Sequence, residues 1–294
     1  MNLHIIMRQL LAVVLLFSCF VCPALAEPLE IKHVNGPVEA RVKKEEKIPN
    51  YYGIAFYKPT YALPYYYTGS PYNAVYQGNT PNNEQLKHAE VSYQFSFKVP
   101  AWKNIFNYPS TLFLAYTQLS YWQLYDHKPF IRESDYEPEL FLANEVNWYL
   151  FERWSLNFAN VGVVHQSNGF GNSLERSWNR LYIEAIASND HWMVSVRPWY
   201  VISTNNNNQN ITSYLGYVRF LAAYKWNQQV VSIQAHNLIE GGAKHATAEL
   251  TWSFPLTTYL KGYLEVFSGY GQSLIEYNHR TNSAGVGIAV NDWI

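Results

Sequence analysis

The segment Val91-Ser92-Tyr93-Gln94-Phe95-Ser96-Phe97-Lys98-Val99 places five apolar side chains on one face of an extended chain and four polar ones on the other. Successive side chains of a strand point to opposite sides, so this alternation predicts a β-strand. The same trace recurs over 192–197, 246–254 and 284–294. In the last of these Ala284, Val286, Ile288 and Val290 share a face opposite Gly285, Gly287 and Ala289. One such segment would also suit a soluble sandwich. Repetition along the chain, with Arg197 and Glu249 opposite the apolar sets, decides for a barrel, because inward charges fit a polar lumen and are costly in a dry core.

The pattern predicts strands over 51–66, 88–100, 111–125, 136–150, 153–167, 177–188, 191–203, 211–225, 228–238, 243–256, 257–271 and 283–294. Twelve is even, as in single-chain bacterial barrels. Polar stretches at 77–84 and 204–210 read as external loops, and 188–190 and 226–228 as tight turns. The expected fold class is all-β, a 12-stranded antiparallel transmembrane β-barrel formed as one domain over residues 50–294.

Ahead of the barrel, residues 1–26 read as a signal peptide. Arg8 precedes the apolar run Leu10 to Val21, and Ala24-Leu25-Ala26 offers small residues for cleavage. Residues 27–49, with Arg41, Lys43, Lys44, Glu45, Glu46 and Lys47, read as a charged extension outside the barrel or folded into its mouth. Both cysteines, Cys19 and Cys22, fall in the removed piece. The exported chain therefore has no thiol, which excludes a disulfide scaffold, a cysteine nucleophile and a thiolate metal site. Losing Arg8 from 21 Lys+Arg leaves 20 against 22 Asp+Glu, a net charge of −2, which makes no case for nucleic acid. No run after the signal peptide approaches the ~18 to 20 apolar residues of a spanning helix, so membrane embedding requires strands. The 25 Tyr and 10 Trp exceed what one core needs and spread over the whole chain. That distribution suits interfacial girdles better than a carbohydrate-binding platform.

The candidate chemistry lies in His165-Gln166-Ser167-Asn168-Gly169 and in Arg176-Ser177-Trp178-Asn179-Arg180. On one strand His165 and Ser167 project to the same side, and Asn179 on the returning strand can lie across from His165. A hydroxyl becomes an effective nucleophile when a neighbouring imidazole takes its proton and a third group fixes the ring. Asn179 can do this through its side-chain oxygen without adding charge, which suits a site close to lipid. Asn179 is in step with Leu181, Ile183 and Ala185, while Arg180, Tyr182 and Glu184 form the opposite row. His165 and Ser167 are in step with Val161 and Val163. The triad is therefore expected on the lipid-facing side near one membrane interface. Trp154, Leu156 and Phe158 fall in the other phase, which calls for a β-bulge near Asn160.

Beyond these motifs, Tyr116-Thr117-Gln118-Leu119-Ser120-Tyr121-Trp122-Gln123-Leu124, Arg132-Glu133, Tyr136-Glu137-Pro138-Glu139-Leu140-Phe141, Pro198-Trp199-Tyr200 and Ser268-Gly269-Tyr270-Gly271 extend the signal over roughly residues 85–294. Together they resemble the outer-membrane phospholipase A family of Gram-negative bacteria, twelve-stranded barrels that cleave phospholipid acyl esters. The resemblance implies His165 as base, Ser167 as nucleophile, Asn179 as orienter and the Gly169 amide as an oxyanion donor. It also implies calcium as cofactor and activity as a homodimer. For calcium, Glu175 stands where the family has a serine, Phe170 would offer its carbonyl, and Asp126, Asn172 and Asn207 are lesser candidates. The loop Tyr125-Asp126-His127-Lys128 is shorter than the family's. Gln118, in step with Leu112, Leu114, Tyr116 and Trp122, is the expected polar residue of the dimer interface. The implied activity covers phospholipase A1, A2 and lysophospholipase reactions through an acyl-serine. Two other readings stay open, a lipid A deacylase and a non-enzymatic porin-like barrel.

Overall fold

The computed structural model describes residues 36–46, 53–240 and 243–294. The expected signal peptide and most of the charged extension lie outside the described residues. A short strand β1 (Ala55–Phe56) pairs with Phe97 and Lys98 and precedes twelve strands that close on themselves. These are β2 (Thr60–Thr68), β3 (Ala89–Lys103), β4 (Ser110–Gln123), β5 (Phe130–Phe151), β6 (Trp154–Ser167), β7 (Ser177–Ser188), β8 (Trp192–Thr204), β9 (Val218–Trp226), β10 (Gln229–His236), β11 (Thr247–Pro255), β12 (Lys261–Tyr270) and β13 (Arg280–Asn291). Each pairs antiparallel with its sequence neighbours, and β13 pairs with β2, so no barrel edge is left open.

The alternation sets which side chains face out. Leu250, Trp252, Val266, Val286, Ile288 and Val290 are all exposed on the outer surface. Their neighbours Gly285 and Gly287 face inward, where a Cβ on Gly285 would come 2.5 Å from the ring of buried Tyr66. Trp102, Tyr108, Trp148, Phe151, Trp192, Trp226 and Tyr259 are exposed beside the short turns and form an aromatic girdle at that end. Short turns mark the periplasmic end and long loops the outer end of such barrels.

Inside, the arginines are matched against carboxylates. Arg197 reaches Glu139 at 3.2 Å and Glu184 at 2.7 Å, Arg219 reaches Glu184 at 2.9 Å, and Arg180 reaches Glu137 at 3.1 Å. Nearer the loops Arg132 contacts Glu90 at 3.0 Å and Glu276 at 3.3 Å. Such pairs are weak stabilisers as units, but removing one partner strands a buried charge, so they fix which strands sit together. Arg197 and Glu249 both line the interior, as their phase required.

The helix α1 (Pro37–Glu46) sits at the short-turn end. Its Val38 packs against Met193 and Leu221, and Arg41 donates to the carbonyls of Trp293 at 2.6 Å and Tyr57 at 2.7 Å.

Three strand starts differ from the pattern by six residues or more, the first being β2, which begins at Thr60 rather than 51 because the described chain before it forms only the short β1. β5 begins at Phe130 rather than 136, because Arg132, Glu133 and Asp135, which read as loop, are held inside the barrel mouth, Arg132 by Glu90 and the two acids by the backbone amides of Ile275 and Leu274. β9 begins at Val218 rather than 211, because Thr212–Leu215 forms a helical turn that ends at Gly216, where φ is +66°. A bulge does interrupt β6, where the register against β7 shifts between Leu156 and Phe158. It lies slightly nearer the turn than the change of phase had suggested.

Candidate active site

β6 and β7 are paired in register from Phe158 to Ser167, and His165 lies directly across from Asn179. The outward neighbours Val163 and Leu181 are 42% and 38% exposed, whereas Val164 and Tyr182 on the other face are buried. His165, Ser167 and Asn179 share the outer, lipid-facing side with the exposed pair.

The geometry brings the imidazole and the amide together. His165 Nδ1–H donates to Asn179 Oδ1 at 2.8 Å, which leaves Nε2 as the ring's proton acceptor. Asn179 Nδ2 in turn donates to Ser203 Oγ at 2.8 Å, so the amide is held in the orientation that offers its oxygen to the ring. Ser203 was invisible to the phase argument. Met193, Ser195 and Arg197 on β8 are buried, so Ser203 in step with them would face the lumen. A register shift between Asn179 and Arg180 skips Ile202 and turns Ser203 outward opposite Asn179. Ser167 is next but one to His165 on the same face, half-buried, and its hydroxyl takes no hydrogen bond from a described residue.

Just past Ser167 the chain turns at Gly169, where φ is +68°. Any Cβ there would come 2.8 Å from the Tyr136 ring, so both the conformation and the space favour glycine. Tyr136 lies across from Ser167 on β5 and walls one side of the site. The turn is built around Asn168, which points inward and is 3% exposed. Its Oδ1 accepts from Arg176 N at 2.9 Å and Phe170 N at 3.4 Å, and its Nδ2 donates to Leu174 O at 2.9 Å.

Behind the site, Trp178 Nε1 donates to Gln166 Oε1 at 2.8 Å, and the Arg180 guanidinium lies 4.0 Å from the Trp178 ring centroid. The lumen network thus braces the same two strands whose other face carries the polar triad.

The remaining candidates are more scattered. The Glu175 carboxylate and the Phe170 carbonyl lie on the loop after Gly169, and neither is engaged by another described residue. Asn207 Nδ2 donates to the carbonyls of Asn172 at 2.7 Å and Glu175 at 3.2 Å, so it braces this loop. Asp126 accepts from Lys128 N at 3.3 Å within its own turn. Among the described residues no cluster of three or more His, Cys, Asp and Glu converges on one point. Gln118 faces outward between Tyr116, whose hydroxyl donates to it at 3.0 Å, and Ser120, to which it donates at 3.0 Å. It stands across from Tyr136, in the same cross-strand row as Ser167.

A hydroxyl, an imidazole and an amide on the lipid-facing surface of a closed barrel define a class: hydrolases embedded in the outer membrane that act on lipid esters. Comparison with known proteins gives the member of that class. The family model for phospholipase A1 matches residues 38–290. The phospholipase A1 of Klebsiella pneumoniae is 40% identical over 212 residues, covering 71% of this chain and 73% of that protein. That of Escherichia coli K12 is 40% identical over 212 residues, covering 71% and 72%. Among solved structures, outer membrane phospholipase A from Escherichia coli superposes with a TM-score of 0.78 at 35% identity, covering 83% of this chain and 100% of that one. The Salmonella typhi outer membrane phospholipase, a dimer with bound calcium, gives 0.79 at 35% identity and 88% and 99% coverage. The chain belongs to the phospholipase A1 family and is an outer-membrane phospholipid ester hydrolase. That membership overturns the reading as a non-enzymatic porin-like barrel.

Proposed function

We propose that this chain hydrolyses phospholipids through Ser167, His165 and Asn179. The observation that carries the reading is the 2.8 Å contact between His165 Nδ1 and Asn179 Oδ1 on the same lipid-facing side as Ser167. In the proposed cycle Ser167 Oγ attacks an acyl carbonyl while His165 Nε2 takes its proton. The proton passes to the departing glycerol oxygen and leaves an acyl-serine. Water, deprotonated by the same nitrogen, then releases the fatty acid. The Ser167 hydroxyl is uncommitted on the same face as His165, and such nucleophile–base contacts commonly tighten only in the complex. The Gly169 amide faces the developing oxyanion. Because Val163 and Leu181 leave the flanks of the site open to lipid, either acyl position of a phospholipid, and the single chain of a lysophospholipid, can reach Ser167.

Glu175 and the Phe170 carbonyl are hard oxygen donors free of other partners, which suits calcium, and Asp126 and Asn172 are lesser contributors. When bound beside Ser167, calcium would supply positive charge for the oxyanion. Two protein ligands fall short of the ~6 to 8 oxygens calcium takes, so water and a second copy would complete the shell. The calcium-bound dimer of the Salmonella typhi relative supports this, and Gln118 lies on the face where a second copy would dock.

Fatty-acid release from mixed micelles by wild type, Ser167→Ala and Asn179→Ala, with and without chelator, tests the proposal. Full activity in Ser167→Ala would sink the mechanism. Activity that survives chelation would sink only the metal assignment.

A further inference from the structure

Glu133 lies on the lumen side of β5 and is 0% exposed. Its Oε1 accepts from Asn168 Nδ2 at 3.3 Å and from Ile275 N at 2.7 Å. Its Oε2 accepts from the Ser273 hydroxyl and from Tyr76 OH at 3.1 Å. One buried carboxylate thus ties the turn after Ser167 to the loop that fills the barrel mouth around Ile275. We propose that Glu133 is a positioning residue for phospholipid hydrolysis, acting through Asn168 on the turn that carries Gly169. The inference rests on the reading of Ser167 and Gly169 given above.

The coupling follows from how Asn168 is used. Both of its amide hydrogens and two oxygen lone pairs are committed, to Glu133, Leu174 O, Arg176 N and Phe170 N. Asn168 sits between Ser167 and Gly169 and its side chain pins the backbone of the same turn, so changing its bonds shifts the backbone that aims both neighbours. Removing Glu133 leaves a buried amide hydrogen unpaired, and Asn168 then gains by rotating toward another acceptor. The turn can hold the Gly169 amide in place only while that hydrogen is matched.

The two sides of the carboxylate differ chemically. Oε1 faces donors that cannot accept, the Asn168 amide and the Ile275 backbone N–H. Oε2 faces two hydroxyls, which can reverse and accept. A glutamine at this position can therefore turn its oxygen to Asn168 and Ile275 and its amide to Ser273 and Tyr76, keeping these four hydrogen bonds and losing the charge that faces Arg132 at 3.9 Å. Arg132 keeps Glu90 at 3.0 Å and Glu276 at 3.3 Å in that case.

The test measures kcat and KM on phospholipid in detergent micelles with calcium, checking folding by the heat-sensitive gel mobility of the barrel. Glu133→Leu and Asn168→Ala should each lower kcat about a hundredfold, the scale of losing one oxyanion donor, with KM unchanged. Their combination should be no worse than either alone. Glu133→Gln should keep most of the wild-type kcat, as should Ser273→Ala, which touches the carboxylate only from the loop side. Asn168→Asp sets a carboxylate against both Glu133 and the Leu174 carbonyl and should lose activity as Asn168→Ala does. Wild-type kcat in Glu133→Leu, multiplicative losses in the double variant, or a Ser273→Ala loss equal to that of Glu133→Leu would each overturn the inference. Activity in Ser167→Ala would overturn the nucleophile assignment instead.

Discussion

Asn179→Ala measures what a neutral third member contributes. The substitution deletes one hydrogen bond of 2.8 Å to His165 Nδ1 and one of 2.8 Å to Ser203 Oγ. It leaves no buried charge behind, because Asn179 carries none and sits half-buried on the outer wall. A neutral hydrogen bond is worth about 0.5 to 1.5 kcal/mol net, and each 1.36 kcal/mol is tenfold in rate. If that energy holds the imidazole in its productive tautomer and angle, kcat should fall by roughly 2- to 13-fold, with KM unchanged. This is far smaller than the ~10⁴-fold drop seen when a buried triad aspartate of a serine protease becomes asparagine, because here no imidazolium–carboxylate pair is lost. The assay is initial-rate fatty-acid release from phosphatidylethanolamine in mixed micelles at saturating calcium. Ser203→Ala should give a smaller loss, since it frees the amide to flip without removing it. An unchanged rate in Asn179→Ala, or a loss as complete as in Ser167→Ala, would refute the reasoning.

Other outcomes follow from the same structure. Gln118→Leu should weaken self-association in detergent by about 3- to 30-fold, the equivalent of the ~0.6 to 2 kcal/mol typical of hydrogen bonds within membranes, and sedimentation equilibrium reads it. Glu175→Ala should raise the calcium concentration needed for half-maximal hydrolysis while leaving the folded barrel unchanged on gels, as a calcium titration of activity would register. Val286→Arg places a charge on the lipid-facing row of β13 and should cost about 2 to 4 kcal/mol if it lies near the bilayer midplane, measured by unfolding from lipid vesicles in denaturant. Trp178→Ala empties a site that is 1% exposed directly behind Asn179 and should destabilise the barrel by about 3 to 5 kcal/mol in the same measurement.

Most of the barrel was legible because its side chains obey one rule along the whole strand. β7, read as 177–188, has those bounds in the structure, and its period-2 row carried Asn179 to the outer face. Legibility failed wherever a charged residue was satisfied by a distant one. Glu133 and Asp135 looked like loop residues because their partners, the backbone amides of Ile275 and Leu274, are contributed from far along the chain. It failed again where a bulge broke the period, as at Ile202, which hid Ser203. The proposed cation ligands were least legible. A calcium shell shared between a loop and a second copy, as proposed above, would leave no spacing in one sequence, and Asp126 accepts a hydrogen bond within its own turn.

The two faces of β6 and β7 do opposite work, and the interior makes the exterior possible. A polar triad facing hydrocarbon gains nothing from its surroundings: lipid supplies no hydrogen bonds, and the flanking Val163 and Leu181 supply no polarity. Beyond the hydrogen bonds its members make to one another and to Ser203, its order must therefore come through the sheet. On the inner face Gln166, Trp178 and Arg180 are locked to one another and to Glu137 by contacts of 2.8 to 3.1 Å. Those residues alternate with His165, Ser167 and Asn179, so fixing one row fixes the backbone that aims the other. A water-filled lumen could not do this, because mobile solvent exerts no fixed register on the strands. The charged interior is thus better understood as a rigid mount for a site on the outside than as a pathway for solutes.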